Sequence, residues 1–175
     1  MATYNLISTV TVGSGGAASI AFTSIPATYT DLKVVLSARS TAGAAVAYSI
    51  LMKMNNLTSS IYSQKALEGN GSAASSFSQS GIDTAVRVGL LNGTGATASV
   101  FSSTEIYIPN YAGATNKSVS IDTVSETNAT TIYSNLIAYL VASTAAITDL
   151  TFSTESGTTS FAQYSSASLY GISNS

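Results

Sequence analysis

The sequence predicts an all-β protein, a single-domain antiparallel β-sandwich of jelly-roll type with ten or eleven strands over residues 1–175. Three observations favour this fold: apolar and polar residues alternate in short segments, helical periodicity is nearly absent, and Gly, Asn and Pro separate the segments. An all-β chain of this length protects its strand edges by closing or doubling its sheets. We therefore expect two packed sheets rather than one barrel.

The first half of the chain contains five segments of strand-like alternation. Residues 5–12 lead through a glycine-rich turn at 13–16 into residues 18–23, which predicts an N-terminal hairpin. Pro26 cannot donate to a strand ladder, so a loop is expected around it. The later strands are expected at 32–38, 48–55 and 61–68. The Ser-, Ala- and Gly-rich segment 72–81 is expected to be a long surface loop.

The second half repeats this spacing. Strands are expected at 86–91, 100–108, 118–124, 132–141, 147–153 and 163–172. Asn92 and Gly93 are typical of a tight turn between two of them. The segment 132–141 is long and almost continuously apolar, which predicts a central strand buried on both faces.

The composition excludes several classes of chemistry. The chain has no Cys, His or Trp, and only 8% of its residues are charged. Disulfides, zinc or iron–sulfur sites with Cys or His ligands, and mechanisms that need an imidazole or a thiolate are therefore excluded. No cofactor and no metal site is predicted, although a cation held by loop carbonyls would leave no signature in the sequence.

The charge distribution bears on partners. The net charge is −2, and the six basic residues are scattered singly, so nucleic-acid binding is not expected. The longest apolar segment, 136–147, is too short to span a bilayer, and the N-terminus lacks the pattern of a signal peptide. A weakly charged surface in which Ser and Thr make up roughly three residues in ten suits a subunit that packs against copies of itself or a larger assembly.

Catalytic groups are scarce. A serine nucleophile would need a base, and none of the lysines lies in a Ser-x-x-Lys motif. The nearest pair of carboxylates is Asp122 and Glu126, which Glu105 and Asp83 could join in space to form a glycoside hydrolase site. We interpret Asp122 and Glu126 as solvated acids beside a loop and predict no enzyme activity.

Tyrosine is the most abundant aromatic residue, with ten copies. Exposed tyrosines stack on sugars or anchor protein interfaces. Tyr62, Tyr111 and Tyr164 are the candidate contacts with a partner, and Tyr111 is the strongest of them because it follows Pro109 in a predicted loop.

Six segments carry a resemblance to a known family. They are SIPATYTDL at 24–32, EGNGS at 68–72, IYIPNYAG at 106–113, TNKS at 115–118, TAAIT at 144–148 and FAQYSSASLYGI at 161–172. Together they resemble small virion proteins of tailed bacteriophages, notably phages of marine bacteria and cyanobacteria. The resemblance extends over nearly the whole chain and carries no catalytic residues with it.

The resemblance implies a structural protein of the virion, assembled in the host cytoplasm. The leading hypothesis is a capsid decoration (cement) protein, a homotrimer that binds the major capsid protein and stabilises the outer surface of the head. The alternative is a tail or tail-fibre module that binds host surface glycan through Tyr62, Tyr111 and Tyr164. A polysaccharide depolymerase that uses Asp122 and Glu126 is the third hypothesis.

Overall fold

The computed structural model describes residues 1–43, 48–82, 85–126, 132–155 and 159–174, which form twelve strands and contain no helix. Accordingly, nothing helical within these ranges is long and apolar enough to cross a membrane. The strands are β1 (Ala2–Thr11), β2 (Ser19–Phe22), β3 (Asp31–Ala38), β4 (Tyr48–Met54), β5 (Tyr62–Gly69), β6 (Ala74–Ile82), β7 (Val86–Leu91), β8 (Ser102–Ile108), β9 (Lys117–Ser125), β10 (Tyr133–Val141), β11 (Leu150–Thr154) and β12 (Ser166–Asn174).

The strands form two antiparallel sheets. The large sheet has eight strands in the order β1-β12-β3-β8-β9-β10-β5-β6, and the small sheet has four in the order β2-β11-β4-β7. This arrangement confirms the predicted antiparallel β-sandwich. The described part of the chain has twelve strands, against the ten or eleven predicted.

Eight of the strands have the jelly-roll topology. Counted along the chain, β1, β2, β3, β4, β7, β8, β11 and β12 are the first to the eighth of this set. They pair as first-eighth-third-sixth in one sheet and second-seventh-fourth-fifth in the other, which is the double Greek key of a jelly roll. We call these eight strands the jelly-roll core.

The other four strands widen one sheet. β5 and β6 lie between β4 and β7 in the chain, and β9 and β10 lie between β8 and β11. Both pairs join the large sheet beyond β8, in the order β9-β10-β5-β6, and the small sheet has no equivalent addition. We call these four strands the extension.

Alternation along the strands builds the hydrophobic interior. Leu32, Val34 and Leu36 alternate along β3 and share its inner face, and all three are buried. In the small sheet, Phe22 meets Phe152 edge to face, with 6.5 Å between the ring centroids. Side chains from both sheets therefore form one hydrophobic cluster.

The predicted N-terminal hairpin is wrong. β1 pairs with β12 in the large sheet, whereas β2 pairs with β11 in the small sheet. The glycine-rich segment between them does turn, since the Gly16 amide donates to the Gly13 carbonyl at 3.0 Å. The turn carries the chain from one sheet to the other, because consecutive strands of a jelly roll can lie in opposite sheets.

The predicted loop at 72–81 is also wrong, because Ala74–Ile82 forms strand β6. Asn70 makes the turn from β5: its side-chain Oδ1 accepts the amides of Ser72 and Ala73 at 3.0 and 2.8 Å. Gly71 has a left-handed φ of 83°, the conformation that tight hairpin turns require at their first central residue. Pairing with β5 therefore overrides the weak strand propensity of Ser and Ala.

The Asn92–Gly93 turn is present but connects the two sheets. The Ala96 amide donates to the Gly93 carbonyl at 3.2 Å, within the loop that leads from β7 to β8. The buried Arg39 guanidinium organises this loop by donating to the carbonyls of Gly93, Ala96, Thr97 and Val100. Its charge is solvated by backbone carbonyls, which is how a cation can be accommodated inside a protein.

Candidate interaction surface

Strand β10 leaves one of its two apolar faces uncovered. Ile137 and Tyr139 point into the core, whereas Leu136 and Leu140 on the opposite face are 58% and 41% exposed. The prediction that this strand is buried on both faces is therefore wrong for its outer face. The strand has neighbours on both sides, β9 and β5, but no strand of the described residues forms a second layer over its outer face.

The neighbouring strands extend this apolar face. Leu67 of β5 lies directly opposite Leu136 in the strand ladder and is 63% exposed, and Val124 of β9 is also exposed. The side chains around Leu67 and Leu136 form a concavity of about 920 Å³, bounded by Tyr107 and Pro109 on one side and by β6 on the other. We call this concavity, with Leu67 and Leu136 at its centre, the outer face of the extension.

Hydroxyl groups surround the leucines. The lining of the concavity includes serines 76, 78, 118 and 120, and its one charged residue is Lys65. The Lys65 Nζ donates to the Ser78 hydroxyl at 3.1 Å, so part of its hydrogen-bonding capacity is used within the chain. The surface is therefore apolar at its centre, and its polar rim carries serine hydroxyls, Lys65 and the exposed Asp122 that lies opposite Leu136 in the strand ladder. An apolar centre within a polar rim is the distribution found in protein–protein interfaces.

Tyr107 is fixed at the edge of the concavity. Its hydroxyl donates to an Asp31 carboxylate oxygen at 2.8 Å, and this hydrogen bond is the main reason that the pKa of Tyr107 lies above its ordinary value. The other Asp31 oxygen accepts the Asn110 amide at 2.8 Å. Asp31 thus holds both the ring and the start of the β8–β9 loop in place.

Two of the three tyrosines predicted to contact a partner lie in the core, and that prediction needs correction for them. Tyr62 stacks on Tyr139 with 5.8 Å between the ring centroids, and its hydroxyl donates to the Leu57 carbonyl at 3.2 Å. Tyr111 is also buried, with its hydroxyl on the Pro26 carbonyl. Burial raises the pKa of both phenols, and neither ring is accessible to a partner.

Tyr164 is exposed, as that prediction requires. Its side chain is 70% exposed and lies in the turn that precedes β12, closed by the Ser165 amide on the Ala162 carbonyl at 3.1 Å. Its φ of 72° is left-handed, a conformation that bulky residues rarely adopt. The turn belongs to the jelly-roll core, so the structure does not bring Tyr164 together with Tyr62 and Tyr111 into one site.

The carboxylates do not form an enclosed site. Glu105 lies directly opposite Asp122 in the β8–β9 ladder, and both side chains point to the outer face of the large sheet. Glu105 forms an ion pair with Lys33 at 2.8 Å, and Glu126 is exposed just beyond the end of β9. Asp83 lies outside the described residues. Neither Asp122 nor Glu105 lines the concavity.

A smaller and more polar cleft separates the extension from the small sheet. Its volume is about 410 Å³, and it is lined by Gln64, Gln79, Arg87, Glu155 and five further residues. The Gln64 amide donates to the Gln79 side-chain oxygen at 3.2 Å, and the Glu155 carboxylate accepts the Ser49 amide at 3.3 Å. Within the ranges that the structure describes, no three acidic side chains gather where they could hold a metal ion.

Sequence reasoning did not single out Leu67 and Leu136. The signal was present in the continuous apolar run of β10, which was interpreted as a strand covered on both faces. The phage resemblance has no independent support, since no family model, no curated protein and no solved structure matches this chain.

Proposed function

We propose that the chain is a non-enzymatic structural protein of a tailed-phage virion, a capsid decoration protein that binds the outer surface of the head and stabilises the shell. The observation that carries the docking part of this proposal is the uncovered outer face of the extension. β10 has the apolar composition of a strand with a layer on each side, but only its inner side is covered.

Leu67 and Leu136 would supply the free energy of binding in the proposed contact. Burying a leucine side chain fully stabilises an interface by about 1.5–3 kcal/mol relative to leaving it in water. The two leucines are paired across the ladder, so one apolar contact would cover both.

The polar rim suits a protein partner rather than a nucleic acid. Among the basic residues, Arg39 and Lys117 are buried against backbone carbonyls, while Lys33 and Arg87 pair with carboxylates. A phosphate backbone would require free cations on one surface. Serine hydroxyls, in contrast, can donate to or accept from the backbone of a capsid subunit.

The first experiment is to determine the copy number and location of the chain in purified virions by gel densitometry and cryo-electron microscopy. A count comparable to that of the major capsid protein, with density on the head, would support the proposal. A chain that is absent from virions would overturn it.

A second experiment tests the surface itself. We expect the Leu67→Ser, Leu136→Ser double variant to bind heads stripped of the native protein about 30- to 400-fold more weakly, since covering the exposed part of both leucines would contribute roughly 2–3.5 kcal/mol. Leu6→Ser is the matched control, because Leu6 is equally exposed at 59% but lies on β1, at the opposite edge of the large sheet. An equal loss of binding in both variants, or no loss in either variant, would contradict docking through the outer face.

The second candidate is a tail module that binds host glycan, and the exposure of Tyr164 is the observation in its favour. A low copy number confined to the tail would support this candidate. Binding of host polysaccharide that is lost in Tyr164→Ala would identify the residue involved.

A further inference from the structure

Strand β6 forms an open edge of the large sheet. It pairs with β5 on one side, and the other side has no neighbour within the described chain. An open edge presents unpaired N–H and C=O groups to solvent, and natural proteins usually protect such edges with lysine, proline or a bulge. Residues 74–79 read ASSFSQ, with no charge and no proline.

The alternation of hydrogen-bonded pairs along the β5–β6 ladder shows which backbone groups of β6 face the open edge. The Asn70 amide donates to the Ala73 carbonyl at 3.1 Å, so these two residues form a hydrogen-bonded pair at the hairpin turn. Hydrogen-bonded and non-hydrogen-bonded pairs alternate along an antiparallel ladder, and Ala74, Ser76 and Ser78 are therefore in non-hydrogen-bonded pairs with β5. The N–H and C=O groups of these three residues point toward the open edge.

The other edges are less suited to pairing. β1, at the far end of the large sheet, is interrupted by a register shift between Leu6 and Ser8. In the small sheet, β2 is only four residues long, and β7 has a register shift in its pairing with β4. The register of β6 is continuous from Ala74 to Gln79, and its irregularity is confined to the far end, where Gly81 has a φ of 64°.

We propose that β6 is a self-association edge, which pairs antiparallel with β6 of a second copy of this chain around a twofold axis. The pairing that places Ser76 opposite Ser76 of the second copy also brings Ala74 opposite Ser78. The three outward-facing residues then form about six hydrogen bonds across the axis. Phe77 lies opposite Ser75 in this register, so the two phenylalanines do not collide.

The chemistry of the strand favours a second copy over an unrelated partner. A twofold axis makes the surface complementary to itself, and the uncharged serines produce no like-charge repulsion across it. The axis is perpendicular to the sheet, so the outer faces of both extensions point in the same direction. The twofold dimer replaces the homotrimer expected from the sequence, and it stands independently of a role on a phage head.

Sedimentation equilibrium tests the proposal with the full chain. We expect the wild type to have twice its 17.8 kDa monomer mass at concentrations on the order of 100 µM, the range in which modest interfaces form. Ser76→Pro should be monomeric, because proline removes an outward-facing N–H and leaves the β5 ladder intact. Ser76→Thr, which keeps the N–H, should remain dimeric.

Hydrogen exchange provides a readout at the edge itself. The amides of residues 74, 76 and 78 should become protected as the wild-type concentration rises. In Ser76→Pro, which has no amide at position 76, the amides of residues 74 and 78 should exchange rapidly while the β5–β6 ladder stays protected. A wild type that is monomeric or trimeric, or a dimeric Ser76→Pro with an intact β5 ladder, would overturn the proposal. Leu136→Ser should stay dimeric, which separates this test from the test of head binding.

Discussion

The jelly-roll core and the far edge of the extension, at β5 and β6, close their interiors by different means. In the jelly-roll core, apolar side chains of both sheets share one hydrophobic cluster, to which the small sheet contributes the buried Phe152 and the large sheet the buried Leu36. The extension continues past β7, the last strand of the small sheet. There, Arg87 of β7 reaches the Glu68 carboxylate of β5 at 2.9 Å and lies over the Phe77 ring of β6 at 4.4 Å.

This difference shows how one sheet can serve two purposes. The jelly-roll core gains its stability from dispersion and burial, which tolerate no missing volume. The extension buries Ile121, Ile137 and Tyr139 in the same hydrophobic cluster, and only its far edge, at β5 and β6, adds the polar links of Arg87. Its outer face carries exposed leucines that have no such buried partners. Side chains on that outer face can therefore specialise in binding without a large cost in the free energy of unfolding.

The largest difference in the free energy of unfolding is expected between alanine variants of Phe152 in the core and of Leu136 on the outer face. Phe152→Ala should lower the free energy of unfolding by about 3–5 kcal/mol, because it removes a buried ring and leaves a cavity. Leu136→Ala should change it by less than about 0.5 kcal/mol. Urea denaturation of both variants measures the difference, and similar losses would show that the outer face also stabilises the fold.

The second prediction concerns Gly89, where the small sheet approaches the large sheet closely. A Cβ atom at Gly89 of β7 would lie 2.6 Å from the Thr123 hydroxyl and 2.9 Å from the Thr104 hydroxyl, and these hydroxyls are hydrogen-bonded to each other at 2.8 Å. Gly89→Ala should therefore cost about 1–3 kcal/mol through overpacking.

Gly15→Ala is the matched control, because nothing lies within 4 Å of a Cβ at Gly15. Thermal denaturation of the two variants compares them directly. Equal melting temperatures would mean that the sheets can separate at Gly89 without cost.

The jelly-roll core was largely predictable from the sequence because its strands alternate. β3, β4 and β7 match the predicted segments closely. The pairing of β1 and β2 was not predictable, since alternation identifies a strand but carries no information on which sheet it joins.

The candidate surface was harder to predict than the fold. Hydrophobicity showed that Leu136 and Leu140 belong to an apolar strand, but whether a layer covers them depends on the number of strands in the opposite sheet. The serines of β6 gave no strand signal, because their pairing is set by the Gly71 turn and by β5. Tyr62 and Tyr111 illustrate the converse: a polar hydroxyl suggested exposure, yet each ring packs inward once the hydroxyl finds a backbone carbonyl.

The third prediction concerns the ion pair between Arg87 and Glu68 at the edge of the extension. Arg87→Met keeps an unbranched apolar stem but removes the guanidinium and its ion pair with Glu68, and both partners are mostly buried. We expect a loss of about 1–2 kcal/mol, since the carboxylate is left in a partly desolvated position.

A double-mutant cycle with Glu68→Gln isolates the pair. The double variant should lose less than the sum of the two single variants, because removing both charges avoids the unpaired carboxylate. Strict additivity in urea denaturation would show that Arg87 stabilises the extension only through its contact with Phe77.

The smallest expected effect concerns the hydroxyl groups of two buried tyrosines, Tyr111 and Tyr139. Removing them should change the free energy of unfolding in opposite directions. The Tyr111 hydroxyl is hydrogen-bonded to the Pro26 carbonyl, so Tyr111→Phe should cost about 1 kcal/mol. The Tyr139 hydroxyl is buried without a partner among the described residues, so Tyr139→Phe should raise the free energy of unfolding by about 1 kcal/mol. Urea denaturation at pH 7 measures both variants.

High pH sharpens this comparison, because burial raises the pKa of Tyr139 well above its ordinary value of 10.0. The unfolded chain therefore releases the Tyr139 proton first as the pH rises past 10, while the folded protein still holds it. Stability must fall with increasing pH in that range, since the folded state then binds more protons than the unfolded state. Tyr139→Phe removes this contribution, so its melting temperature should fall less steeply above pH 10 than that of the wild type. Parallel slopes would show that the Tyr139 hydroxyl reaches solvent in the folded protein.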